Sequence, residues 1–266
     1  MRWVLRRTGL GPRASDLARR REYRADSTLR QANDRLIEAG APDGLPLPSP
    51  YLMYLVSWSF SLQLYLEKGA LGADCIRQVL EKNGLDIGQF ESILDWGCGC
   101  GRIMRQWATL KDTHIHGCDY NPRLSGWCSQ AFPQFSVRTC RSLPPLPYEN
   151  ESFDFLYAVS VLTHIRAEHQ VPWVRELARV LRPGGFALLT FHGSTRAEAL
   201  GVEMREHFRE GQLVVLAEQN NGTNYCAAFH PQEYIRREFG PILRVVDHVP
   251  DGARDAGQDA VLFQKA

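Results

Sequence analysis

The chain has 266 residues, 44% hydrophobic and 23% charged, which is the make-up of an ordinary globular protein. That length suits one α/β domain with an extension and a full hydrophobic core. A formal net charge of +1 excludes a polyanion-binding character for the molecule as a whole, and seven scattered cysteines exclude a fully paired disulfide framework and fit a reducing compartment.

Taken in order, the first residues lack the continuous apolar run of a signal peptide, so a cytoplasmic location is expected. Residues 1–50 read as an Arg-rich extension ending in a linker. Arg2, Arg6, Arg7, Arg13, Arg19, Arg20, Arg21 and Arg24 face only Asp16 and Glu22 as acids in the opening stretch. Such a run reads as a solvated, partly frayed helix, or as a surface that docks to an acidic partner such as a carrier protein or a membrane surface. Residues 40–50, GAPDGLPLPSP, carry too much Pro and Gly for regular structure. Residues 51–90 read as a helical lid or pocket segment with a pause at residues 69–72. Their most apolar part, residues 51–66, is too short to span a membrane and is broken by Ser57, Ser59, Ser61 and Gln63. A buried amphipathic helix is expected there.

The rhythm changes after residue 90. Short apolar runs at 92–94, 113–118, 135–139, 153–161 and 185–191 read as strands, the fourth apolar enough to be buried on both faces. Helical segments at 102–110, 122–131 and 172–181 alternate with them, which predicts a parallel sheet with right-handed crossovers. Two final strands, 242–249 and 260–264, are joined by a loop too short for a parallel crossover, so the last must run antiparallel. Between the fifth strand and this pair lies an irregular insert, 193–238. It holds a helix at 196–208 and two apolar runs, 212–217 and 225–229, that flank a turn-rich stretch and suggest a hairpin.

The informative motif is residues 93–102, ILDWGCGCGR, at the junction of the first strand and the next helix. Glycines at alternate positions let the backbone turn sharply and let a ligand approach where a Cβ would clash. A loop at a strand's carboxyl end is where α/β sheets bind nucleotides. The spacing is G-x-G-x-G rather than the G-x-G-x-x-G of dinucleotide enzymes, and Asp95 precedes the first glycine. An acid is unhelpful beside a pyrophosphate but suits S-adenosylmethionine, which carries a sulfonium and an ammonium. Asp119 ends the second strand, eighteen residues after Gly101, where a carboxylate can accept from both ribose hydroxyls or, alternatively, cap the next helix. Tyr120 would then lie against the adenine. Cys98 and Cys100 are one residue apart, not the two-residue gap of a zinc knuckle, so no metal is expected.

With these residues and the segments LPPLPYENESFDFLYAVSVLTHI (143–165) and LARVLRPGGFALLTFHG (177–193), the chain from about residue 91 onward resembles the class I S-adenosylmethionine-dependent methyltransferases. The resemblance implies a Rossmann-like, doubly wound seven-stranded sheet of order 3-2-1-4-5-7-6, last strand antiparallel, with an N-terminal helical extension. It implies S-adenosyl-L-methionine as cofactor and S-adenosyl-L-homocysteine as product. It assigns the methionine moiety to the backbone around Gly97, Cys98, Gly99 and Gly101 and to Val159 and Ser160 after the fourth strand. The family often has an acid or Asn on the adenine at the end of the third strand; this chain departs from it with Thr139-Cys140-Arg141-Ser142-Leu143, where Ser142 substitutes and Leu143 packs on the ring.

Methyl transfer needs the acceptor aligned and water excluded, and a hydroxyl or acidic carbon also needs a base. His164 after the fourth strand and His192 after the fifth are the candidate catalytic bases, and either could instead line the pocket. Tyr51, Tyr54, Trp58 and Phe60 offer aromatic faces that are either core or acceptor contacts; with the insert they would close a pocket for an apolar or ring-containing metabolite of secondary metabolism, methylated on O or N. Nucleic acid is not expected as acceptor, because the fourth strand ends in Ala158-Val159-Ser160-Val161 rather than the Asn/Asp-Pro-Pro-aromatic run that holds an extruded base. A side chain at Gly99 is expected to fill the cofactor's space. Two rivals are an NAD-type oxidoreductase, disfavoured by the glycine spacing, and an inactive S-adenosylmethionine-binding interaction protein.

Overall fold

Strand positions follow the apolar runs closely, and the computed structural model, which describes residues 12–266, arranges them as expected. The chain runs α1 (Pro12–Ala25), α2 (Ser27–Ala39), α3 (Pro50–Ser57), α4 (Leu62–Lys82), β1 (Ser92–Trp96), β2 (His114–Asp119), α5 (Pro122–Ala131), β3 (Ser136–Thr139), β4 (Phe153–Ala158), α6 (Ala167–Val180) and β5 (Leu181–Phe191). It continues through α7 (Ser194–Ala197), α8 (Val202–Arg209), β6 (Val214–Leu216), β7 (Ala227–Phe229), α9 (Gln232–Tyr234), β8 (Arg244–Ala253) and β9 (Gln258–Gln264). The main sheet has seven strands in the order β3-β2-β1-β4-β5-β9-β8. Only β9 runs against its neighbours in that sheet. Strands β6 and β7 form the antiparallel hairpin inside the insert.

All five residues of β1 are buried, because helices cover both faces. One core lies between the sheet and α6, around Trp173, Leu177 and Phe239. The other lies under α4 and α5, around Ile76, Met104, Trp107 and Phe132.

Several helical expectations need correction, each for a tertiary reason. The pause at residues 69–72 does not exist: α4 runs straight through. Its glycines answer to packing, since a Cβ on Gly69 would sit 2.0 Å from the Arg102 carbonyl oxygen and one on Gly72 2.8 Å from Ile103 Cδ1. The expected helix at 102–110 is a single 3₁₀ turn, Met104–Trp107, whose buried side chains point different ways. Arg105 leaves the core to donate to Asp43, Leu45 and Pro46 in the linker, while the Trp107 indole donates to Tyr157. Residues 51–66 form two helices rather than one, with Trp58 at the corner in the left-handed region (φ 61°). Asn33 of α2 holds that corner, donating to the Phe60 carbonyl and accepting from the Leu62 amide. α6 begins five residues before Pro172 and keeps that proline inside it, at the cost of one helical bond. The helix expected at 196–208 is broken into α7 and α8, with Gly201 capping the second.

Two arginines of the basic run make contacts within the helical extension. Arg20 pairs with Asp16 at 3.1 Å and lies 3.9 Å over the Tyr51 ring, and Arg19 pairs with Glu22. Arg2, Arg6, Arg7 and the Arg13 side chain lie outside the described residues. Among the described residues no helix is long and apolar enough to cross a membrane.

Candidate active site

The turn after β1 is clamped by backbone hydrogen bonds before any ligand enters. The amides of Gly97 and Cys98 both donate to the Cys118 carbonyl at the end of β2, and the Tyr65 hydroxyl donates to the Cys100 carbonyl. Gly97 (φ 77°) and Gly99 (φ 56°) sit in the left-handed region, which favours glycine. Their absent side chains serve close packing. A Cβ on Gly97 would lie 2.4 Å from Val161 Cγ2, and one on Gly99 would lie 2.8 Å from Val56 Cγ2 of α3. The steric need at Gly99 is therefore for helix α3 to approach the loop, not for the cofactor to fill its place.

Two carboxylates stand at the loop. Asp119 accepts from the Gly99 amide at 3.0 Å and the Asn121 amide at 2.8 Å. The cap of α5 is Asn121, not Asp119. Burial pushes Asp119 up to about 6, against the pull of those two amides. Asp95 accepts from the Tyr157 hydroxyl at 2.8 Å, and burial pushes it up to about 7 despite that bond and the nearby Arg102. Two acids whose burial outweighs the pull of their protein partners are poised for a ligand bearing hydroxyls and positive charge.

Both belong to the wall of one cavity of about 390 Å³, within the usual range of small-molecule sites. Asp95, Gly97, Cys98, Gly99, Asp119, Tyr120, Ser142, Val159, Ser160, Tyr54, Trp58 and His164 all line it. Ser160 is held in the left-handed region (φ 63°) by buried partners: its amide donates to Thr190 and its hydroxyl accepts from Gln258. Holding a non-glycine residue there costs energy that surrounding bonds must offset, and such residues cluster at functional sites.

Four residues expected at the site lie elsewhere. Gly101 packs against Phe132 and Cys128, within 2.7 Å and 3.2 Å of its missing Cβ. Leu143 is exposed and outside the wall. Tyr51 turns its ring to Arg20 on the outside of α3. His192 sits behind His164, ring centroids 6.5 Å apart, and is buried under β7 with Nδ1 bonded to the Ala228 carbonyl at 3.1 Å. Burial pushes His192 down to about 3, so it stays neutral.

His164 is the histidine on the cavity. Its Nδ1 lies 2.7 Å from the Cys226 carbonyl oxygen. A carbonyl only accepts, so Nδ1 carries the proton and Nε2 keeps its lone pair. Burial lowers its pKa, opposed by that carbonyl. The hairpin that supplies Cys226 also supplies the roof. The Gly222 amide donates to the His164 carbonyl, the Arg166 amide to the Asn221 side chain, and the Asn224 side chain to the Leu55 carbonyl of α3. Tyr225 meets Trp58 edge-on, centroids 4.6 Å apart.

Some wall residues escaped the sequence reading. Asp16 reaches the cavity from α1, with no local signal in a basic stretch. Val161, Trp173 and Asn220 were also missed, as was Gln258 behind Ser160. Trp96 and Arg102 stood inside the recognised motif, and Arg102 reaches the wall while paired with Asp255 at 2.7 Å.

Residues 93–185 match a family model described as a methyltransferase domain. Over 98 residues the chain is 36% identical to the tRNA (carboxymethyluridine(34)-5-O)-methyltransferase ALKBH8 of Mus musculus, covering 36% of this chain and 14% of that protein. Over 106 residues it is 30% identical to methyltransferase GfsG of Streptomyces halstedii, covering 38% of this chain and 37% of that one. The chain thus spans well under half the length of these relatives. Among solved structures, the 1,6-didemethyltoxoflavin-N1-methyltransferase of Burkholderia thailandensis superposes with a TM-score of 0.53 at 14% identity, covering 73% of this chain and 78% of that one. A methyltransferase of Thermotoga maritima gives 0.51 at 14% identity, covering 82% and 99%. At that identity these two likenesses speak for the fold. The fold, the glycine turn and its two acids define a nucleoside-binding α/β domain of the methyl-transfer kind. Residues 93–185 carry a methyltransferase domain that resembles the class I S-adenosylmethionine-dependent kind, with S-adenosylmethionine as its cofactor.

Proposed function

We propose that this protein moves the methyl group of S-adenosylmethionine onto the O or N of a small acceptor with an apolar or ring-bearing body, as part of secondary metabolism. The observation that carries this reading is the meeting, in one cavity, of the Asp95–Asp119 loop with His164 and the aromatic roof of Tyr54, Trp58 and Tyr225. The bound cofactor supplies an electrophilic methyl on a sulfonium. Asp119 accepts from its ribose hydroxyls, and Asp95 answers its positive charge. Backbone around Gly97 and Cys98 borders the methionine end, and Ser142 with Tyr120 the adenine end. The roof excludes water and aligns the acceptor. His164 Nε2 takes the proton that the acceptor atom sheds as it bonds to the methyl; this base step contributes about 10²–10⁴-fold.

A nucleic-acid acceptor is the second reading, favoured by the 36% identity to a protein named as a tRNA methyltransferase. Against it stand the absence of an Asn/Asp-Pro-Pro run after β4 and the internal pairing of Arg19 and Arg20. A labelled-methyl assay offered both a metabolite extract and bulk tRNA separates the readings. Label in an extractable small product supports the first. Label in tRNA alone overturns it, and binding of S-adenosylhomocysteine with no label anywhere points to an inactive cofactor-binding protein.

A further inference from the structure

Asp95 is the most deeply buried acid of the cavity wall, and the methyl-transfer reading uses it only as a charge. Its surroundings show more. Oδ2 accepts from the Tyr157 hydroxyl at 2.8 Å, and that hydroxyl accepts from the Trp107 indole Nε1 at 2.9 Å. Tyr157 and Trp107 are both fully buried, and Asp95 is 4% exposed. The chain of bonds crosses from the 3₁₀ turn after the glycine loop, through the carboxyl end of β4, to the end of β1. Tyr157 lies opposite Asp95 in the register between the two strands. Because Trp107 can only donate, the hydroxyl is committed to give its own proton to Asp95. No described residue donates to Oδ1, which is left for a ligand.

We propose that Tyr157 is a positioning residue for the cofactor's cationic end: its hydroxyl, oriented by Trp107, holds the Asp95 carboxylate in one rotamer and in its charged form. The inference rests on the S-adenosylmethionine reading of the cavity and extends it to a residue that does not line the wall. The charge balance supports it. Burial pushes Asp95 up to about 7, while the Tyr157 bond and Arg102 pull it down and Asp119 pushes it up. Besides Asp119 on β2, the groups facing Asp95 are Tyr157 on β4 and Arg102 and Cys98 of the loop. Burial raises the Tyr157 hydroxyl far above its ordinary range, so it remains a donor at any working pH. The Cys98 thiol is likewise pushed up, by its contact with Cys128 and by burial, so it stays neutral. Asp119 ionises lower, at about 6, and shares no bond with Tyr157.

The sign follows. A cationic ligand wants Asp95 ionised, so affinity falls as pH drops through its pKa. Without the Tyr157 donor that pKa rises, and the fall begins at higher pH. The test is calorimetric titration with S-adenosylhomocysteine, which carries the same ammonium, from about pH 5.5 to about pH 8.5. Tyr157→Phe is compared with wild type, and the double variant Trp107→Phe/Tyr157→Phe keeps the test alive if the single variant folds poorly, since removing both partners leaves no orphaned indole donor. The midpoint of the affinity profile moves up by about one pH unit, and affinity at neutral pH falls about fivefold, converging on wild type at the alkaline end. In an Asp95→Asn background, Tyr157→Phe has no further pH effect. A parallel loss at every pH, or an unmoved midpoint, overturns the proposal while leaving the cofactor reading intact. A wild-type protein that fails to bind S-adenosylhomocysteine at any pH overturns both.

Discussion

The floor and the roof of the cavity are built on different principles. The floor is the carboxyl edge of β1, β2 and β4, where a hydrogen-bonded glycine turn and two sheet-end carboxylates line the cavity. The roof is made of side chains from α1, α3 and the insert, none of which belongs to the sheet. The family match covers residues 93–185, so it contains the floor and stops short of the roof. A floor fixed by hydrogen bonds within adjacent strands suits a constant cofactor. A roof joined by contacts such as Asn224 to Leu55 and Tyr225 to Trp58 can change with the acceptor. His164 stands at the seam, following β4 yet oriented by the hairpin carbonyl of Cys226.

Four experiments break or sharpen this division. The largest effect is expected at the seam: His164→Gln lowers kcat by about 10²–10⁴-fold while S-adenosylhomocysteine affinity holds within about threefold. Single-turnover rates and calorimetry check it, and an unchanged rate assigns the proton to another group. Next is the contact where floor and roof touch. Gly99→Ala adds a Cβ 2.8 Å from Val56 in a left-handed backbone position and should destabilise by about 2–4 kcal/mol. Val56→Ala added to it should recover the packing part only, as denaturant unfolding will show; no recovery means the clash lies elsewhere. Third, Asp119→Ala weakens S-adenosylhomocysteine binding about 10–100-fold by removing charge-assisted bonds to ribose, and should raise the acceptor KM far less. Equal losses of both would mean that floor and roof are not separable.

The smallest effect is on pH dependence. The folded-state pKa values of Asp95 and Asp119 are raised to about 7 and about 6 from 3.8. Their contribution to stability without ligand is therefore complete below about pH 4 and is lost as pH rises through those values. The ligand's hydroxyls and ammonium favour the ionised acids, so its stabilisation grows over the same window. The gain in Tm with S-adenosylhomocysteine should be a few degrees larger at about pH 8 than at about pH 5.5. His192 and His230, both pushed down to about 3 by burial, act in the opposite sense but cancel in the difference with and without ligand. A gain independent of pH would show that neither acid meets the cofactor.

The floor was legible because its signals are local. Asp95 and the alternating glycines fall within one turn, and Asp119 follows at the end of the next strand, so spacing alone reports their meeting. The two histidines show where that logic stops. Both follow the carboxyl end of a parallel strand, yet β7 covers His192 and leaves His164 on the cavity. Nothing near either residue distinguishes them, because the covering strand arrives from 36 residues away. Glycines misled in the same way. Gly69 and Gly72 read as a break in a helix and instead admit the Arg102–Ile103 backbone and side chain against an unbroken one.

Sequence by itself determined the order of the strands, the reversed last strand, the hairpin in the insert and the glycine loop at the end of β1. Each of these depends on hydrophobic period and turn chemistry within a few tens of residues. Tertiary structure alone decided which histidine reaches the cavity, that Asp16 of the basic helix lines it, and that Trp107 and Tyr157 stand behind Asp95. Those facts depend on groups brought together across 36 or more residues, where only the packed core fixes who meets whom.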